Sequence, residues 1–380
     1  MSERPQRDRF DNSRRLYTAD QTIKQMKPTE SASPTPTRSK RRVNKSDGIV
    51  TLDMVARLAG VSPSTVSRIL NGTAAVHEAK AKAVNNAIAE LGFIPNPMAR
   101  GLASGKTLSI GVITQAIDSP YYGITLRGIE DELNPAGYSS LHVSGHWNAK
   151  TETRCMDMLL SRRVDGIIVL TGRIPDSVLR TCAKKIPVVV TGRVLKTPRL
   201  LSLAFDNVEG GRLATQHLID LGHRRIACIS GNVKHPDAID RLEGYQRAFK
   251  MAGLVYDPNL VVHGDFSEES GLQAAKLLLA SGRPFTAIFA GNDQMALGAA
   301  LGLHQSGLKV PQDVSLVGFD DLPVAIYALP PLTTVHVSAY ELGRLAATAM
   351  LELIDNRVPQ GDLPAPRLVQ RESSARLPSA

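Results

Sequence analysis

The sequence predicts an α/β protein: an N-terminal helix-turn-helix module, then two doubly wound, parallel-sheet lobes facing each other across a cleft. Three observations carry this. Three short amphipathic helical patterns lie between residues 51 and 93, with only Gly60 and Val61 between the first two. From Leu108 onward, short apolar runs alternate with helical patterns, the signature of parallel sheets covered on both faces. At 380 residues the chain exceeds what one hydrophobic core usually holds.

Residues 1–48 are rich in Pro, Ser, Thr, Arg and Gln and read as a disordered basic tail. They hold 12 Lys/Arg against 6 Asp/Glu; residues 49–106 hold 6 against 3, and the remainder 27 against 27. The whole net charge of +9 therefore lies in the first 106 residues. A solubilising tail accounts for the first block. A basic block on a neutral body is also how a nucleic-acid-binding region is distributed.

The module spans residues 49–94. In "TLDMVARLAG", Leu52, Val55, Ala56 and Ala59 share a face, Thr51 is placed to cap, and Gly60 stops the helix. "SPSTVSRILNG" has Ser62 as N-cap and Pro63 at the first helical position, where its missing N–H costs nothing. Val66, Ile69 and Leu70 form its apolar face. The third helix, "EAKAKAVNNAIAELGF", buries Val84, Ala87, Ile88 and Leu91 and ends at Gly92. Residues 95–106, "PNPMARGLASGK", read as a hinge that is helical only when held, because Gly101 weakens it by roughly 0.5–1 kcal/mol relative to alanine.

Residues 107–380 form the core. Strands are expected at "LSIGVIT", "VDGIIVL", "IPVVVTG", "RRIACIS", "FTAIFAG" and "VSLVGFD", with helices such as "ITLRGIEDEL" and "GGRLATQHLIDLG" between them. The end, "RLVQRESSARLPSA", reads as a final strand and a short loose tail.

In a helix-turn-helix, the second helix lies in the DNA major groove and its N-terminal side chains reach base edges. Here those are Pro63 and Ser64, with Arg68 a turn further on and suited to guanine. Thr65 and Ser67 suit phosphate oxygens; Thr51, Ser62 and Asn71 complete the polar surface. An ordinary surface helix is the competing reading from these residues alone.

The run "TLDMVARLAGVSPSTVSRILNG…AIAELGFIPNPMARGLASGKTLSIGVI" resembles the lactose-repressor/galactose-repressor family of bacterial transcription regulators. The resemblance continues through "DNVEGGRLATQHLIDLGHRRIA" and "AGNDQMALGAALGLHQSGLKVPQDVSLVGFDD", covering everything from Thr51 onward. It implies a homodimer, sometimes a dimer of dimers, bound to a near-palindromic double-stranded DNA operator. It also implies hinge helices paired in the minor groove, where Leu102 wedges a base step beside Asn96 and Ala99. His77 stands where the family usually has a capping serine. With no heptad-rich segment after the core, a plain dimer is expected.

Cleft ligands in such folds bind at the carboxyl ends of strands. There the sequence places Tyr121, Tyr122, Trp147, Arg193, Phe266, Asn292, Asp293, Phe319, Asp320 and Asp321. Aromatics that cover a ring, with carboxylates and arginine for hydroxyls, suit a carbohydrate. The core also resembles periplasmic sugar-binding proteins, which adds Arg241 to the effector set. One departure is Gly192, where many sugar-binding relatives have aspartate; a larger, phosphorylated or non-sugar ligand would fit that loss. A purine or sugar phosphate acting as corepressor is the alternative to a sugar.

Neither a P-loop, nor G-x-S-x-G, nor a post-strand G-x-G-x-x-G occurs, so no enzyme is expected. Cys155, Cys182 and Cys228 are scattered, which argues against disulfides and zinc, and no metal or cofactor is expected. His217 and His223 sit where structural roles are commoner. Without an apolar leader or a membrane-length run, the expected place is the cytoplasm, at the nucleoid. The expected function is a ligand-responsive repressor whose lobes change their mutual angle and so move the hinges.

Overall fold

Apolar side chains at helical spacing gather three helices around a small core: α1 (Leu52–Leu58), α2 (Pro63–Asn71) and α3 (Glu78–Leu91). In this computed structural model, which describes residues 50–71, 77–94, 105–359 and 361–377, that core is Val55, Ala56, Val66, Val84, Ala87 and Phe93. Gly60 and Gly92 end α1 and α3 in the left-handed region, at φ +65° and +62°. Ser62 caps α2, its Oγ accepting from the Thr65 N–H at 3.2 Å. Thr51 and His77 precede their helices without a side-chain cap bond. The tail 1–48 and the hinge residues Asn96, Ala99 and Leu102 lie outside the described residues.

The first lobe holds β1 (Ser109–Thr114), β2 (Ser139–Ser144), β3 (Gly166–Val169), β4 (Val188–Thr191) and β5 (Leu200–Leu203). All are parallel, in the order β2-β1-β3-β4-β5. Crossovers between them run through α4 (Pro120–Leu133), α5 (Ala149–Ser161) and α6 (Asp176–Ala183). In the second lobe, α7 (Asn207–Asp220), α8 (Pro236–Met251), α9 (Glu268–Ala280) and α10 (Asp293–Gln305) cover a sheet ordered β11-β10-β9-β8-β6-β7. Its strands are β6 (Ile226–Ser230), β7 (Val261–His263), β8 (Ala287–Ala290), β9 (Ser315–Asp320), β10 (Thr333–His336) and β11 (Arg367–Val369), the last antiparallel. All six strand runs expected from the sequence are present, as is the final strand; β2, β5, β7 and β10 are additions, β5 an edge strand half-buried at its middle.

One helix leaves the lobe that precedes it. After β10 the chain returns to the first lobe as α11 (Ala339–Ile354), whose Leu342, Ala346 and Met350 pack with Ile129 and Leu133 of α4. The crossing is close because Gly128 and Gly343 meet at it. A Cβ on either would fall 2.0–2.2 Å from a carbonyl oxygen of the facing helix. The chain then recrosses to add β11.

The C-terminus corrects an expectation. Residues 371–377 are not loose: Ser373 and Ser374 are buried, Ser373 Oγ donates to Leu316 O at 2.6 Å, and Leu316 N–H returns a bond to Ser373 O at 2.7 Å. His217 Nε2 bonds Ser374 Oγ and His223 Nε2 bonds Ala375 O, so both histidines fasten this segment.

Candidate functional site

In each lobe the strand order reverses beside its first strand, between β1 and β3 and between β6 and β8, and a crevice opens beyond the carboxyl ends there. Loops from both lobes enclose one cleft of about 380 Å³. Tyr121 and Tyr122 enter from the start of α4, Trp147 from the loop after β2, and Phe266 from the loop after β7. Arg241 comes from α8, Asn292 caps α10, and Asp320 ends β9.

Backbone strain concentrates here. His146, Trp147, Thr171, Phe266 and Asp320 all have positive φ, from +41° to +104°, a region that costs non-glycine residues of order 1–3 kcal/mol. Gln115, fully buried, holds two of them: its amide donates to Thr171 O at 2.7 Å and accepts from the Trp147 N–H at 2.8 Å. Buried Glu152 accepts from the N–H groups of Arg173 and Ile174 at 2.6 and 2.8 Å. Asn292 bridges helix and loop, accepting from Met295 N–H and donating to Phe266 O at 3.0 Å.

A charged network forms the floor. Arg241 lies over the Phe319 ring, 3.7 Å from its centroid, and 3.2 Å from the Asp320 carboxylate. Its Nε donates to Asn207 Oδ1 at 2.9 Å, and the Asn207 amide donates onward to Asp237 at 3.1 Å. Burial pushes Asp237 and Asp320 up to about 6 despite Arg241. Asp320 Oδ1 is buried, and its nearest partner is the Arg241 guanidinium of the ion pair. Burial, with Arg241 next, lowers His235 to about 3 and keeps its ring neutral.

Of the eleven effector-site candidates in the sequence, Tyr121, Tyr122, Trp147, Arg241, Phe266, Asn292 and Asp320 line the cleft together, while Phe319 lies beneath Arg241. Arg193 and Asp293 do not line it. The Arg193 guanidinium turns back to donate to Gly172 O, Ile174 O and Asp176. Asp293 directly follows the cap residue, so its side chain points to the sheet, fully buried, accepting from Leu322 N–H and Thr334 Oγ1 at 2.7 and 2.6 Å. Asp321 is likewise engaged, by Arg371 and His336. Gly192 also has a local cause: its φ is +70°, and a Cβ would fall 2.7 Å from Thr171 Cγ2.

Sequence reasoning missed His235 and Asp237. They stand at the start of α8, where "HPD" is a cap and first-turn signal that was available. It also missed the acidic rim of Asp118, Asp265 and Glu268, and the contacts between lobes. Ser119 Oγ donates to Gln294 at 3.1 Å, and the Trp147 and His235 rings lie 4.1 Å apart.

The module presents its own surface. Thr51, Ser62, Pro63, Ser64 and Arg68 are exposed, and Thr65 and Ser67 are half-buried. Ser62 Oγ lies 2.9 Å from both Ser64 Oγ and Thr65 Oγ1, which gathers three hydroxyls at the start of α2. Asn71 closes the helix.

Residues 51–96 match the family model for bacterial regulatory proteins of the lacI family, and residues 107–375 match periplasmic binding proteins and the sugar-binding domain of the LacI family. The chain is 37% identical to the HTH-type transcriptional regulator GalR of Escherichia coli K12, over 86% of this chain and 96% of that one. It is 38% identical to the ribose operon repressor of the same strain, over 84% and 96%. Among solved structures, the lac repressor dimer bound to operator and the anti-inducer ONPF aligns with a TM-score of 0.78 at 31% identity, over 86% of this chain and 99% of that one. With the helix-turn-helix and the two-lobed core both matched in order, the chain belongs to the lacI family of bacterial regulatory proteins and is a DNA-binding regulator of transcription.

Proposed function

We propose that this regulator is a homodimeric repressor whose cleft binds a neutral, polyhydroxylated effector, a sugar. One observation carries this: four aromatic faces (Tyr121, Tyr122, Trp147, Phe266) surround Arg241, Asn292 and Asp320 in a cleft whose carboxylates outnumber its arginine. Asp118, Asp237, Asp265, Glu268 and Asp320 line it; among the described lining residues Arg241 is the one Lys or Arg. Such a cleft repels a phosphorylated ligand and offers acceptors to sugar hydroxyls. The relative that represses a ribose operon fits this reading. The cleft acts by binding rather than turnover, a reading supported by the regulators and repressors among its relatives. A purine is the second reading, favoured by the flat surfaces of Trp147, His235 and Phe266, whose successive centroids are 4.1 and 4.9 Å apart.

DNA contact falls to the module 49–94 through Ser64, Thr65, Ser67 and Arg68, and to a hinge at 95–106 carrying Asn96, Ala99 and Leu102. The core 107–380 closes or opens on its effector and repositions the hinges of the two subunits. A cytoplasmic place at the nucleoid follows from that partner. The test is titration of the Trp147 emission with free sugars, their phosphates and nucleobases. Saturable change with a neutral sugar alone supports the reading. Response only to phosphates refutes it, and response to a nucleobase transfers it to the purine.

A further inference from the structure

The first lobe carries a second concavity, of about 580 Å³, at the amino ends of its strands, opposite the effector cleft. Residues just before β1, β3, β4 and β5 wall it: Lys106, Arg163 with Asp165, Lys185 and Arg199. Four cations thus face one carboxylate, and that carboxylate is engaged: Asp165 accepts from the N–H groups of Thr107 and Leu108 at 2.9 and 2.7 Å. Lys106 lies 3.6 Å from Asp355, while the side chains of Arg163, Lys185 and Arg199 are exposed. Beyond residue 106 the chain is neutral, so this is a segregation of charge, with carboxylates at the cleft and cations at the other end.

Exposed lysine and arginine are ordinary, and charge alone names no partner. Position does. The chain enters the lobe at Gly105, on the rim of this groove. Residues 95–104 separate it from Ile94, at most about 40 Å of extended chain. A duplex held by α2 is therefore within the groove's reach. We propose that this groove takes backbone phosphates of the DNA flanking the sequence read by α2, so that the core adds a sequence-independent share to binding. The proposal rests on the DNA-binding assignment and is indifferent to the effector. Asp165 gives it a mechanical side, because it ties Thr107 and Leu108, where the linker enters, to the same rim as Arg163.

The test compares the full chain with an Arg163→Gln, Lys185→Gln, Arg199→Gln triple variant, by anisotropy over a range of salt, on duplexes that end at the specific site and duplexes extended on both sides. On extended duplexes the variant's slope of log K against log salt should become shallower by about 0.9 for every phosphate that it no longer neutralises, alike on specific and random DNA. Effector affinity read from Trp147 and the melting midpoint should not move, since all three side chains are exposed. A slope and affinity equal to the parent's overturn the proposal, even if the groove then proves to hold an acidic protein. Weaker binding at an unchanged slope overturns it too. The comparison on random DNA stands even where the parent shows no sequence preference, so failure of the groove and failure of the module are separable.

Discussion

Trp147 on the first lobe and His235 on the second lie with ring centroids 4.1 Å apart and planes tilted by 56°, joining the lobes through an aromatic pair at the cleft. His235 is held neutral by burial, so the pair carries no charge near neutral pH. Aromatic pairs are worth about 0.5–1.5 kcal/mol beyond buried area. His235→Ala should therefore weaken effector binding by up to about tenfold, red-shift the Trp147 emission, and leave effector-free DNA affinity unchanged. Unaltered effector affinity would remove the pair from the site.

Asp237 and Asp320 give the protein a pH signature. Burial raises both to about 6, so the native state holds their protons more tightly than the unfolded chain. Their contribution to stability is present below the ordinary carboxylate range and is lost as pH rises through about 6. On the proposed reading, in which effector hydroxyls donate to the ionised oxygens, affinity should move the opposite way, rising between about pH 5 and 7 and then levelling. Asp237→Asn keeps an acceptor for Asn207, and should raise the melting midpoint at neutral pH while weakening the effector. Calorimetric titration across that range checks both signs; a flat profile contradicts them.

Arg68 is exposed a turn beyond Ser64 on α2. Arg68→Ala should cost about 1–3 kcal/mol on the preferred site and much less on random DNA. Competition binding with both duplexes measures the ratio. Equal losses on the two would make Arg68 a phosphate contact.

Gly192→Asp, which supplies the aspartate that the resemblance to sugar-binding proteins led one to expect, should destabilise the core by about 1–3 kcal/mol. The new Cβ would meet Thr171 at a backbone position with φ +70°. Thermal melting reads the cost, and an unchanged midpoint would mean that the 191–193 turn adapts freely.

The parallel strands were legible because both their faces are buried, which writes continuous apolar runs such as "SIGVIT" and "SLVGFD". β5 was not, since "LLSL" is only partly buried. The return of α11 to the first lobe was also hidden, because it is decided by the meeting of Gly128 with Gly343, more than 200 positions away. Strand ends located the cleft correctly, but position along the chain does not fix where a side chain turns. Arg193 and Asp293 stand at the expected ends and point into carbonyls and core, while His235 and Asp237 reach the cleft from a helix start. The hydroxyl-rich face of α2 was fully legible, because Ser62, Pro63 and Gly60 are local signals.

If one ligand in the cleft governs DNA binding, the two events must share a midpoint. Anisotropy of the operator-bound protein, followed during titration with the compound that shifts Trp147, decides this. Operator affinity should change severalfold, and its midpoint, extrapolated to zero DNA, should coincide with the fluorescence midpoint. A compound that saturates the Trp147 signal while operator affinity stays constant would contradict the coupling of cleft to DNA.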